Sequence, residues 1–157
     1  RVVVRGVVAA CPDVTVRLIG PVDDGSLPPG ERMTIEPPWP HAALAAAVAD
    51  AHALLLPFRV DELTRAVDPV KLYEYIALGK PIAAAHWDAL DRFAPFVTFY
   101  RDAADLVARI AARSLAVPPE KAVRDAFLAP QSWAARSAAL AGAIEATRAP
   151  QQTRLTQ

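Results

Sequence analysis

Cysteine is scarce in this sequence, and neither sign of charge is in excess. Cys11 is the single cysteine among 157 residues, so the chain can form neither an internal disulfide nor a cysteine-rich zinc site. This usage is typical of a reducing compartment, and the cytoplasm is the expected location. Seventeen Lys and Arg residues balance seventeen Asp and Glu residues, which excludes a net field that would draw the protein nonspecifically onto nucleic acid or anionic lipid.

Long hydrophobic runs are also lacking. The most apolar stretch, residues 42–58, contains Asp50 and His52 and falls short of the roughly 20 apolar residues that a membrane-spanning helix needs. The chain is nevertheless 54% hydrophobic, which is enough for one domain with a core. We therefore expect one domain over residues 1–148, no transmembrane segment, and a disordered tail over residues 149–157.

Short apolar runs alternate with helical patterns along the chain. The runs lack strict polar alternation, which favours strands that are covered on both faces. Trp133, Leu140 and Ile144 recur at helical spacing, with Trp133 as the expected core anchor of the last helix. The pattern predicts an α/β fold with a doubly wound, Rossmann-like parallel sheet. The predicted strands are residues 14–19, 33–35, 53–56, 81–85 and 97–100, and the predicted helices are residues 40–50, 68–78, 102–113, 119–128 and 132–147.

In such a sheet, ligands bind at the carboxyl ends of the strands. The loops after Ile19, Ile35 and Leu56 are therefore the places to search for chemistry. Gly20 follows the first of these strands, where the absence of a side chain suits close approach of the backbone to a ligand. On its own Gly20 is also ordinary turn chemistry.

The most specific segment follows Leu56. Asp68 and Pro69 are typical of a helix start, with Asp68 as the N-cap. The N–H groups of a first helical turn attract phosphate, and Lys71 adds a cation there. Glu74 shares the helix face of Lys71 at i,i+3 spacing, and its carboxylate suits two ribose hydroxyls. The spacing alone is equally consistent with a solvated ion pair.

Other polar residues have two readings each. Arg59 and Arg65 can contact phosphate or remain solvated loop charges, and Thr64 lies between them. The three histidines are far apart in the sequence and lack metal-ligand spacing, so we expect neither a metal site nor a cofactor. They are His41, His52 and His86.

This segment resembles the donor-binding motif of GT-B glycosyltransferases of family four. Residues 69–75 read Pro-Val-Lys-Leu-Tyr-Glu-Tyr and are followed by Gly-Lys-Pro at residues 79–81. The fragments Leu-Pro-Phe-Arg at residues 56–59 and Leu-Thr-Arg at residues 63–65 are also similar. The resemblance implies the C-terminal, donor-binding half of a GT-B fold, in which Glu74 holds the donor ribose and the loop before it faces the phosphates and the sugar.

The sequence departs from the family pattern in two places. Ala66 occupies the position where many members carry the first glutamate of a pair, and Asp68 or the Thr64 hydroxyl are the candidates to replace it. The fold should also open with a strand, a Gly-rich turn and a helix, for which residues 1–10 are too short. Either the N-terminal part is truncated, which we favour, or the sheet lacks its first strand.

The function implied by the resemblance is transfer of a sugar from a nucleoside-diphosphate sugar to an acceptor hydroxyl. The acceptor, a glycan or a lipid-linked sugar, would be bound by a missing N-terminal domain, so this domain alone should have little hexosyltransferase activity. The implied location is the cytoplasm, with peripheral attachment to the inner membrane as an open alternative. Two other functions stay open at this point: a GT-B sugar-nucleotide epimerase and a non-catalytic Rossmann-like interaction domain.

Overall fold

The computed structural model describes residues 2–21 and 30–148, which form a mixed α/β structure with short parallel strands. Short 3-10 helices lie at His41–Ala43, Asp88–Phe93 and Ala129–Gln131. The strands are β1 (Val16–Ile19), β2 (Met33–Glu36), β3 (Leu54–Leu56), β4 (Ile82–Ala85) and β5 (Thr98–Tyr100). The helices are α1 (Val2–Ala10), α2 (Leu44–Ala47), α3 (Glu62–Arg65), α4 (Val70–Leu78), α5 (Ala103–Ala111), α6 (Lys121–Leu128) and α7 (Trp133–Arg148).

The strands form two parallel sheets, so the predicted parallel pairing is confirmed. β1 pairs with β2, and Val16 aligns with Met33. The second sheet has the order β3-β4-β5, and Leu56 aligns with Ala84. Because the strands of each sheet run in the same direction, their following loops leave at one edge of that sheet.

The central strand β4 is buried along its whole length. Ala83 and Ala85 belong to a cluster that contains Val7 of α1 and Leu106 of α5. Side chains alternate between the faces of a strand, so the other two β4 residues point to the opposite face, where they are buried as well. Coverage on both faces explains why this stretch of sequence shows no polar alternation.

Helix α1 was not predicted from the sequence. Its valine-rich stretch favours extended structure, because β-branched side chains lower helix propensity. Val4 and Val7, three residues apart, share a helix face and are almost fully buried. Burial of this face outweighs the local preference. Among the described residues, the element that comes before β1 is therefore a helix and not a strand.

The residues at two helix ends predicted these boundaries better than the valine-rich sequence predicted α1. The side chain of Asp102 accepts a hydrogen bond from the backbone N–H of Asp105 at 2.9 Å, as an N-cap should. Gly79 ends α4 in the left-handed conformation, with φ 64°. Both predicted boundaries are confirmed. The predicted helix over residues 40–50 is shorter than expected and consists of a 3-10 turn followed by α2.

The chain divides into two compact units, residues 1–119 and 120–157. The second unit contains α6 and α7 within its described part. The prediction that Trp133 anchors a core is wrong, because this side chain is 85% exposed, and Leu140 on the same helix is exposed too. Helical spacing of large apolar residues indicates a shared face but not what covers it. The predicted disordered tail, residues 149–157, lies outside the described residues.

Within residues 2–21 and 30–148, no helix has both the length and the apolar character that crossing a lipid bilayer requires.

Candidate functional site

The loops that follow β3 and β4 meet at the carboxyl edge of the three-stranded sheet. Phe58, just after β3, stacks on Trp87, just after β4, with ring centroids 6.0 Å apart. Asp68, at the far end of the first loop, pairs with Arg92 from the second loop. These two contacts bring residues from separate stretches of sequence to the edge where parallel sheets bind ligands.

Lys71 and Glu74 meet on the first turns of α4. The Lys71 Nζ lies 2.7 Å from the Glu74 Oε2. The side chain of Lys71 is half exposed, whereas that of Glu74 is 27% exposed. The i,i+3 spacing thus places a cation and a carboxylate together beside the helix start, where backbone N–H groups also carry partial positive charge. An ion pair this exposed contributes less than about 1 kcal/mol to stability.

His41 is the neighbour of Glu74 that sequence reasoning missed. It opens the 3-10 turn after β2, and its Nε2 lies 3.5 Å from the Glu74 Oε1. The two oxygens of Glu74 therefore face two different basic side chains. From the sequence, His41 is expected to be a surface or packed imidazole and not a metal ligand. Its approach to Glu74 could not be predicted, because the 3-10 turn and α4 are distant in the sequence. The described residues contain no group of three or more His, Cys, Asp or Glu side chains arranged to hold a metal ion.

Asp68 does not cap α4, so that prediction is wrong. Pro69 occupies the N-cap position, and no side chain caps the helix there. The Asp68 carboxylate instead accepts a hydrogen bond from the Tyr73 hydroxyl at 3.0 Å and pairs with the Arg92 guanidinium. Arg92 also donates to the Tyr73 hydroxyl at 2.8 Å. Arg92 and Tyr73 therefore bind this carboxylate in place of the backbone N–H groups at the start of α4.

The remaining loop residues, Arg59, Thr64 and Arg65, lie around α3. The Thr64 hydroxyl is 2.8 Å from the Arg59 carbonyl and 2.9 Å from the Asp61 Oδ1. Arg59 is almost fully exposed and lies 3.5 Å from Asp61, and Arg65 ends α3 at the surface. Thr64 is therefore part of the loop's own hydrogen bonding, and the two arginines project into solvent.

Both side chains that could replace the missing glutamate already have partners within the protein. Ala66 is exposed at the end of α3. The Asp68 carboxylate is paired with Arg92, and the Thr64 hydroxyl already contacts acceptors within its own loop. Either side chain would have to exchange a contact within the protein for one with a sugar hydroxyl.

Asp61 holds the short helix α3 in place, and its charge should make this loop sensitive to acid. The backbone N–H of Thr64 donates to the Asp61 carboxylate. This hydrogen bond, together with the Thr64 hydroxyl and the charge of Arg59, lowers the pKa of Asp61 below its ordinary value of 3.8. A carboxylate with a lowered pKa stabilises the folded state above its unfolded pKa, and this stabilisation is lost as the pH falls through the folded pKa.

Asp61→Ala should therefore lower the thermal unfolding midpoint at neutral pH, and the difference from the wild type should shrink as the pH falls below about 4. Asp61→Asn retains a capping side chain without the charge and should unfold closer to the wild type. Thermal scans of the three proteins between about pH 7 and about pH 3 measure this. A difference that stays constant over the whole range would show that the Asp61 charge has no role.

Gly20 lies at the carboxyl end of β1, in the two-stranded sheet. Its backbone N–H donates to the Glu36 carbonyl at 3.0 Å, and its φ of +126° is a conformation that L side chains rarely adopt. Among the described residues, no heavy atom lies within 4 Å of the position that a Cβ would take. Substitution there would strain the backbone without causing a steric clash.

Gly20→Ala should therefore lower the free energy of unfolding by roughly 1–3 kcal/mol. Gly142, inside α7, is a control with the opposite expected sign, because alanine stabilises a helix interior relative to glycine by about 0.5–1 kcal/mol. Urea unfolding of both variants gives the two values. A Gly20→Ala protein as stable as the wild type would show that this turn can change its conformation freely.

No protein-family profile, no curated protein and no solved structure matches the chain. Support for a function therefore comes from the residues of this chain alone.

Proposed function

We propose that this domain binds the nucleoside-diphosphate sugar of a glycosyltransferase reaction, in which a hexose is moved to an acceptor hydroxyl. The supporting observation is the arrangement around α4. A carboxylate, Glu74, is only 27% exposed and contacts both Lys71 and His41. It lies in the second turn of a helix whose positive end is near the carboxyl edge of a parallel sheet.

Each group has a defined part in this proposal. The α4 N–H groups and Lys71 attract the diphosphate, which gains negative charge as the sugar leaves. Glu74 accepts hydrogen bonds from the two ribose hydroxyls, since a carboxylate has about four acceptor sites and Lys71 and His41 occupy only part of them. Arg59 and Arg65 are exposed, one before α3 and one at its end, and would contact the outer phosphate, Arg59 in exchange for its contact with Asp61.

The test is calorimetric titration of the full chain with UDP, GDP and ADP and with a hexose conjugate of each. We expect one base to bind, with an affinity that falls as salt concentration rises, because part of the attraction is between charges. Lys71→Met, which keeps the length of the side chain without its charge, should weaken this binding. Absence of binding by all six compounds at about millimolar concentration, roughly the weakest useful affinity, would refute the proposal.

A further inference from the structure

Two aromatic rings lie at the carboxyl edge of the three-stranded sheet and have no part in the function described so far. Phe58 is the second residue after β3, and Trp87 is the second residue after β4. Because β3 and β4 are parallel neighbours, the two residues leave the sheet side by side. Their rings are stacked, with an angle of 7° between the planes and 6.0 Å between the centroids.

The two members of this aromatic pair differ in exposure. Trp87 is 2% exposed, whereas Phe58 is 39% exposed. Phe58 is thus the outer ring, and Trp87 lies behind it. An aromatic ring that is partly open to solvent at the ligand-binding edge of a parallel sheet offers a flat apolar surface to an incoming molecule.

The indole N–H of Trp87 is buried without a hydrogen-bond acceptor anywhere in residues 2–21 and 30–148. Buried donors are almost always paired, because an unpaired one loses its hydrogen bond to water and gains nothing in return. Phenylalanine would supply a similar stack with Phe58 without this cost. The N–H group therefore points to an acceptor that the described residues do not provide.

We propose that the Phe58–Trp87 pair is the subsite for the hexose ring of the donor, an inference that rests on the function proposed above. A hexose combines apolar C–H faces, which pack on an aromatic ring, with hydroxyl oxygens that accept hydrogen bonds. In this subsite the hexose packs against Phe58, the Phe58 ring shifts, and a sugar hydroxyl accepts from the Trp87 N–H. The exposed Arg59 is adjacent to Phe58 in the sequence and would contact the phosphate attached to the sugar in exchange for its contact with Asp61.

The nucleotide end of the donor is assigned to α4, so the two ends of the ligand can be tested separately. The chain contains three tryptophans, Trp39, Trp87 and Trp133, and ¹⁵N labelling gives one indole N–H signal for each, which single Trp→Phe variants assign. We expect the Trp87 signal to shift when a sugar nucleotide binds and to stay in place when the matching nucleoside diphosphate binds. The signal of Trp133, in the other unit, is the internal control.

Calorimetry on two variants supplies the matching affinities. Phe58→Leu removes the aromatic surface at a partly exposed position, and Trp87→Phe removes only the N–H donor and part of the ring. Both should weaken binding of the sugar nucleotide about fivefold or more, the effect expected for one hydrogen bond or one ring contact, and leave affinity for the nucleoside diphosphate unchanged. Trp133→Phe should change neither. If Trp87→Phe does not fold, Phe58→Leu and the Trp87 signal of the wild type carry the test.

The possible failures are distinguishable. Binding of the sugar nucleotide with an unmoved Trp87 signal and wild-type affinity in Phe58→Leu would overturn the subsite and leave the proposed function standing. An equal loss of affinity for the diphosphate and the sugar nucleotide would also overturn it, because the rings would then have no specific effect on the sugar. No binding of either compound by the wild type would refute the proposed function, and the subsite with it.

Discussion

Glu74→Ala should weaken binding of the nucleoside diphosphate by about 1.5–3 kcal/mol, or roughly 10- to 150-fold in dissociation constant. The carboxylate is the charged acceptor assigned to the ribose, and it is held between Lys71 and His41. Its removal leaves the ribose hydroxyls without that partner. Calorimetric titration of wild type and variant with the nucleotide that binds best gives the difference directly.

Two further variants separate recognition of the ribose from a general loss of negative charge. Glu74→Gln keeps the shape and one acceptor oxygen and should lose less affinity than Glu74→Ala. Glu145→Ala removes an exposed carboxylate from α7, in the other unit, and should have no effect on binding. Wild-type affinity in a folded Glu74→Ala protein would leave the Lys71–Glu74 contact as an ordinary surface ion pair.

Phe93→Ala should lower the free energy of unfolding by about 3–5 kcal/mol, the largest effect on stability that we expect. Phe93 is fully buried at the end of the 3-10 helix after β4. Its ring meets that of Tyr73 edge-on at 5.1 Å, and the Arg92 guanidinium lies 4.8 Å from its centroid. The substitution creates a cavity beneath the contacts that join this segment to α4.

Urea unfolding measures this loss, and two controls define its cause. Phe93→Leu keeps most of the volume and should cost considerably less than Phe93→Ala. Leu140→Ala truncates an exposed side chain on α7 and should change stability by about 0.5 kcal/mol or less. If Phe93→Ala lowers the free energy of unfolding by less than about 1 kcal/mol, this ring does not support the segment after β4.

The elements with strong local signals could be predicted from the sequence. Apolar runs between turn residues located all five described strands, and the caps Asp102 and Gly79 fixed two helix boundaries. Such signals act over a few residues, so no knowledge of the distant chain is needed. Parallel pairing followed from the alternation of strands and helices.

One element that the sequence did not predict and one prediction that was wrong both depended on contacts with other parts of the chain. A valine-rich stretch forms α1 because Val4 and Val7 find apolar neighbours from other parts of the chain. Asp68 was a reasonable cap by its position before Pro69, yet Arg92 and Tyr73 take its carboxylate. In each case a partner that is remote in sequence outweighs a local preference, which no short window can reveal.

The contacts of the candidate site are likewise of two kinds, those that local sequence predicts and those that depend on distant residues. Contact between Lys71 and Glu74 follows from helix geometry. The approach of His41 to Glu74 and the stacking of Phe58 on Trp87 require the loops after three different strands to converge. The sequence identifies the loops in which these residues lie, but which side chains meet depends on the register and tilt of strands in two sheets.

A crystal structure of the full chain with a bound nucleoside diphosphate tests the central claim most directly. The proposed function predicts ribose hydroxyls within about 3.2 Å of the Glu74 carboxylate and phosphate oxygens facing the first turn of α4 and Lys71. A nucleotide bound at any other place, with Glu74 still paired only to Lys71 and His41, would contradict it.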